Sequence, residues 1–192
     1  MTAVILSDCS NKQAPEFTLL KCVCDGISIP HEIEWVNVQE LLVAPCKKCF
    51  KCLPYGECTL SEDDAQRVGR MIFDADALVI GLSTSLEKPS LKLNTLLDRI
   101  DGYLAFQNRQ GEFCPWRKGR SVVIVSHDGL DEITIKHPDK LIPERSSLLQ
   151  VLSKGGFKLA GVVSAHPDVV PSLELLPLEK ARSLGKNLSR CN

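Results

Sequence analysis

Five apolar runs constrain the fold of this chain more than any other feature: TAVILS (2–7), EIEWVNV (32–38), ALVIGLS (77–83), SVVIVS (121–126) and KLAGVVSA (158–165). Their Val, Ile and Leu are nearly continuous, without in–out alternation, so such strands need cover on both faces, as in a parallel sheet. The pieces between them carry helical signals. SEDDAQRVGRMIFDAD (61–76) opens on a Ser cap with acids in its first turn, then places Val68, Met71 and Ile72 at helical spacing. SLKLNTLLDRIDGYL (90–104) begins just after Pro89 and aligns Leu91, Leu93, Leu96, Leu97 and Ile100. RSSLLQVLSKGGF (145–157) ends on Gly155 and Gly156, a C-cap signal, and LEKARSLGKNLSR (178–190) has basic residues in its last turn. The alternation predicts an α/β fold, a doubly wound five-stranded parallel sheet with helices on both faces, against a competing mixed α+β sheet. Residues 45–60, 101–120 and 127–142 read as loop-rich.

A chain of 192 residues can bury a full core, and one domain over 1–192 is expected. Lys plus Arg, at 23, nearly cancels Asp plus Glu, at 24, so no field draws the chain onto nucleic acid or anionic lipid. MTAVILSDCSNKQ lacks the basic start and cleavage site of a signal peptide, and no apolar stretch is long enough for a bilayer. A cytoplasmic protein is expected, in which nine cysteines are thiols, metal ligands or redox centres and not a disulfide framework.

Cys46, Cys49, Cys52 and Cys58 follow a C-x2-C-x2-C-x5-C pattern within PCKKCFKCLPYGEC. Three cysteines at equal steps on a tight loop, closed by a fourth, suit the converging thiolates of a [4Fe–4S] cluster. Zinc more often takes two separated pairs, and unliganded thiols are the remaining alternative. Lys47, Lys48 and Lys51 can offset thiolate charge, or be ordinary solvated loop charges, and Pro54 with Gly56 lets the chain turn back to deliver Cys58. Cys9, Cys22, Cys24, Cys114 and Cys191 have no ligand spacing.

In an open parallel sheet, ligands sit beyond the carboxyl ends of the strands, at the switch in strand order. That directs attention to SDCSNKQ after the first run, STSLEKPS after the third and SHDGLDE after the fourth. Their hydroxyl and amide groups suit a phosphate or a heterocycle, although polar residues also follow strands simply because loops are wet.

Taken together, the four cysteines, Glu62-Asp63-Asp64, Ala75-Asp76, and Leu91-Lys92 with Asp98-Arg99 resemble the iron–sulfur flavoprotein branch of the NADPH-dependent FMN reductase family, most closely over residues 45–103. The resemblance implies a flavodoxin-like sheet carrying FMN beside a [4Fe–4S] cluster and passing electrons between them. It also implies a nicotinamide or a redox protein as partner, and a homo-oligomer. By this resemblance Ser7, Asp8, Ser10 and Asn11 take the phosphate side of the flavin and Ser83, Thr84, Ser85 and Leu86 the ring side, with Ser126, His127 and Gly129 following the fourth strand. The resemblance likewise makes Cys46, Cys49, Cys52 and Cys58 the metal ligands and implies no catalytic acid or base. Two departures stand out: the first loop has no glycine and carries Pro15 at its helix start, and GLSTSLEKPS has no aromatic residue. They sustain an alternative, a flavodoxin-like protein that has lost its flavin and serves as an iron–sulfur or zinc-binding redox sensor or interaction module.

Overall fold

The structure is a computed structural model that describes residues 2–27, 32–83, 89–127, 147–165 and 175–188. Chain order gives β1 (Thr2–Ser7), α1 (Pro15–Gly26), β2 (Glu32–Asn37), a 3-10 turn (Val38–Glu40), α2 (Asp64–Asp74), β3 (Ala77–Gly81) and α3 (Leu91–Leu104). There follow β4 (Ala105–Gln107), β5 (Phe113–Pro115), β6 (Arg120–Ser126), α4 (Ser147–Lys154), β7 (Phe157–Ser164) and α5 (Leu175–Leu188). All five apolar runs become strands of one parallel sheet, ordered β2-β1-β3-β6-β7. This is the flavodoxin-like order, whose switch point lies between β1 and β3.

Alternate strand residues feed two cores. Val4, Leu6, Leu78, Ile80, Val122 and Ile124 pack against α2, α3 and α4, whereas Ala3, Ile5, Val79, Val123 and Val125 pack against α1 and α5. Coverage of both faces explains the absence of alternation in the sequence. On the second face α1 and α5 cross so closely that a Cβ on Gly185 would lie 2.0 Å from the Val23 carbonyl oxygen, and one on Gly26 2.2 Å from that of Arg182.

Two local expectations are corrected. The helix read from Ser61 starts later, because Asp63 is the N-cap: its side chain accepts from the Ala65 amide while Gln66 reaches back to the Asp63 amide, a complete capping box. Residues 101–120 are not simply loop. The helix α3 ends at Leu104, as the sequence reads it, and β4 and β5 then pair antiparallel around a turn in which Asn108 Oδ1 accepts from the amides of Gln110 and Glu112. This hairpin turns back onto α3, with Trp116 Nε1 donating to the Gly102 carbonyl at 2.9 Å. No helix among the described residues is long and apolar enough to cross a membrane.

Candidate functional site

The cysteine segment is an excursion between the 3-10 turn and α2, closed at its neck by hydrogen bonds. The Leu42 amide donates to Asp64 Oδ2 at 2.8 Å and the Ala44 amide to Asp63 Oδ2 at 3.0 Å. Across this neck lies Arg99 of α3, its side chain wholly shielded from solvent. Its guanidinium donates to the Ala44 carbonyl at 2.6 Å, to Asp63 at 2.7 and 3.2 Å, and to Gln66 Oε1 at 3.2 Å. One planar fork therefore ties both ends of the loop to the helix beneath it, a geometry that lysine cannot reproduce. Burial opposes the charge on Arg99, but its bonds to Asp63 and its closeness to Cys58 outweigh that and raise its pKa.

Within the loop the backbone bends around the sulfurs. Lys48 and Phe50 have positive φ, at 50° and 57°, which few residues without glycine's freedom adopt. The turn aims the Lys48 amide at Cys46 Sγ, 3.3 Å away, and the Lys51 amide at Cys49, whose pKa is lowered chiefly by that contact. Amides directed at sulfur stabilise thiolate and tune a metal bound to it. Cys52 is half-buried, like Cys46 and Cys58. Burial raises its pKa, with the thiols of Cys58 and Cys46 adding to the effect, and its Cβ and Sγ pack where a side chain on Gly102 would otherwise stand. Beside Cys46 an open hollow of about 510 Å³ is bounded by Ala44, Pro45, Lys47 and residues 60–63. No group of three or more His, Cys, Asp or Glu side chains among the described residues is gathered closely enough to hold a metal ion. The loop thus fits a thiolate-bound centre in its donor set and its amides, with the sulfurs not already drawn to one point.

The second candidate region is the carboxyl edge of the sheet. Asp8, 1% exposed, turns its carboxyl inward at the β1/β3 switch, where Oδ1 accepts from Gln39 Nε2 and Ser90 Oγ, both at 2.6 Å, and Oδ2 from Ser83 Oγ at 3.4 Å. Ser90 is also the N-cap of α3, accepting from the Leu93 amide. Ser7 is buried. Ser10 and Asn11 lie exposed on the following loop, where Asn11 Oδ1 accepts from the Gln13 amide. In the first turn of α1, Glu16, 3% exposed, meets His127 Nδ1, whose own side chain is 43% exposed. Cys9 of the β1–α1 loop is buried, its thiol pushed up to about 11 by burial and then by Glu16 and Asp8. Ser126 Oγ shares a hydrogen bond with Ser164 Oγ at 3.3 Å.

Ser7, Asp8 and Ser83 are thus brought together around the β1/β3 switch, with Ser126 and His127 at the end of β6, and Ser10 and Asn11 stand apart on the exposed loop. Thr84, Ser85, Leu86 and Gly129 lie outside the described residues. Gln39, Ser90 and Glu16 were missed from the sequence, although Ser90, in a Pro-Ser step before an apolar helix, carried a capping signal. As a cradle for a terminal phosphate the described part of this edge does not fit. Ala14 offers no side-chain cap to α1, Pro15 brings no amide hydrogen, and two carboxyls stand where an anion would go.

No protein-family model matches the chain. It is 29% identical over 100 residues to an iron–sulfur flavoprotein of Archaeoglobus fulgidus, a match covering 52% of this chain and 48% of that protein. The chain therefore matches about half the length of that relative, whose kind is the one the cysteine segment resembles. In fold it is similar to an NAD(P)H:quinone oxidoreductase from Methanothermobacter marburgensis, with a TM-score of 0.72, 20% identity and 98% of each chain covered. An azoreductase from Bacillus anthracis superposes with a TM-score of 0.70 at 13% identity, over 97% of this chain and 99% of that one. An FMN-dependent NADH-azoreductase from the same species, in complex with FMN, gives 0.62 at 15% identity with both chains fully covered.

Proposed function

We propose that the chain is a flavin-linked redox protein in which Cys46, Cys49, Cys52 and Cys58 hold a [4Fe–4S] cluster and the carboxyl ends of β1, β3 and β6 receive the ring of a flavin, FMN being the form the resemblance implies. The observation that carries this reading is the cysteine loop: four thiols on one excursion, amides of Lys48 and Lys51 directed at sulfur, and both ends of the loop clamped by a single buried arginine. Similarity to an iron–sulfur flavoprotein and a fold shared with an NAD(P)H:quinone oxidoreductase and an FMN-dependent NADH-azoreductase support it.

When bound, a flavin exchanges electrons singly or as a hydride and a cluster exchanges them singly, so the pair links two-electron to one-electron partners. The protein's own residues position and tune. Arg99 holds the loop neck against α3, Gly102 lets α3 approach Cys52, and the loop amides together with Lys47, Lys48 and Lys51 offset the charge of four thiolates. No side chain has to act as acid or base. A nicotinamide or a redox protein supplies or accepts electrons, and we place the chain, as one domain over 1–192 and as a homo-oligomer, in the cytoplasm.

A second reading, loss of the flavin with the cysteine site retained as a metal-binding sensor or interaction module, is favoured by the inward-turned Asp8 and the buried Glu16. Flavin and iron measured on the same oxygen-free preparation decide between them. On the first reading both are present, and Cys49→Ser loses iron and acid-labile sulfide while keeping flavin. Iron without flavin selects the second reading, and flavin lost with iron retained in Cys49→Ser overturns the assignment of the ligands.

A further inference from the structure

In a sheet of this order a mononucleotide lies over the switch between the first and third strands, with its phosphate drawn to amide hydrogens at a helix N-terminus. Two helices begin beside this switch, α1 after β1 and α3 after β3. Each is already met by an acid of the chain. Asp8 reaches the N-cap of α3 through Ser90 Oγ at 2.6 Å and is further held by Gln39 at 2.6 Å and Ser83 at 3.4 Å, three donors on an acceptor-only group. Glu16 sits in the first turn of α1, buried, with His127 against it. Around them the loop Asp8–Ala14 has one cation, the exposed Lys12. A phosphate entering here would displace or face two buried carboxyls, and like charges at such range oppose binding.

We propose that this site holds a flavin by its ring and ribityl chain and gains nothing from a terminal phosphate, so that its ligand class is the phosphate-free flavin as much as the mononucleotide. The proposal rests on the flavin reading above. Asp8 and Glu16 are then specificity-determining residues. Their carboxyls stand beside the two helix ends that would otherwise select for phosphate.

The test is a titration of the whole chain, freed of flavin, with riboflavin and separately with FMN, at one fixed pH and salt, followed by quenching of flavin fluorescence. The two dissociation constants should agree within about threefold, or riboflavin should bind more tightly, and Glu16→Gln should shift the ratio towards FMN by about fivefold or more, the scale of one helix-end charge. Asp8→Asn, which keeps the shape of the side chain, should shift it in the same direction. FMN binding more than about threefold tighter than riboflavin in the unaltered chain overturns the inference and leaves the flavin reading standing. Equal binding with a ratio that neither variant moves also overturns it, since the two acids would then not be the cause. Binding of neither flavin removes both the inference and the flavin half of the proposed function.

Discussion

Arg99 and Asp63, 36 residues apart, are joined by two hydrogen bonds at 2.7 and 3.2 Å, with the arginine side chain fully enclosed and the aspartate side chain 17% exposed. The same Asp63 caps α2 and accepts from the Ala44 amide. Neck, helix cap and α3 are therefore one hydrogen-bonded unit beneath the cysteine loop. Removing one partner of such a pair strands the other, so Arg99→Met or Asp63→Asn should cost about 3 kcal/mol in urea unfolding. Burial pushes the Asp63 carboxyl up, but the amides of Ala44 and Ala65 and the Arg99 guanidinium outweigh it and leave the pKa below its ordinary 3.8. Its contribution is thus complete above that value and is lost as pH falls through the lower, folded one. The gap in stability between the native chain and Asp63→Asn should be full at pH 7 and shrink in acid. A gap that does not change with pH contradicts the pairing.

The thiols divide by environment. Burial pushes Cys9 up to about 11 and Cys24 up to about 12, whereas the Lys51 amide lowers the exposed Cys49. In the metal-free folded chain at pH 8, iodoacetamide should label Cys49 at least about 100-fold faster than Cys9 or Cys24, which should react only after unfolding. Peptide mass spectrometry reads this directly. Labelling of Cys9 at the rate of Cys49 would show that the β1–α1 loop does not enclose it.

The crossing of α1 and α5 depends on the absence of a side chain at Gly185, whose Cα stands close to the Val23 carbonyl. Backbone cannot yield as a side-chain tip can, so Gly185→Ala should destabilise by about 1–3 kcal/mol and lower Tm by several degrees. A Tm equal to or above that of the native chain would mean that the two helices cross elsewhere.

The central strands β1, β3 and β6 were legible because each is buried on both faces, which leaves a run of Val, Ile and Leu too continuous for a half-exposed strand, whereas the edge strands β2 and β7 are only partly covered. The end of α4 was legible too, through Gly155 and the positive φ of Gly156. The hairpin of β4 and β5 was not. Its strands are three residues each, shorter than any periodicity can register, and only the Asn108 to Gly111 turn marked it. At the site, the cysteines announced themselves by spacing, but the clamp did not. Asp98-Arg99 and Glu62-Asp63-Asp64 stood out as separate motifs, and nothing local says that Arg99 and not a neighbouring residue turns inward to Asp63. Asp8 was read as facing a ligand's phosphate, and its inward turn follows from Gln39 and Ser90, donors 31 and 82 residues away in the chain.

Iron and acid-labile sulfide, determined on the chain purified without oxygen, test the account at its centre. The account predicts about four of each per chain, with a brown absorbance that oxygen bleaches. A colourless protein whose Cys46, Cys49, Cys52 and Cys58 hold zinc, or hold nothing, would contradict it.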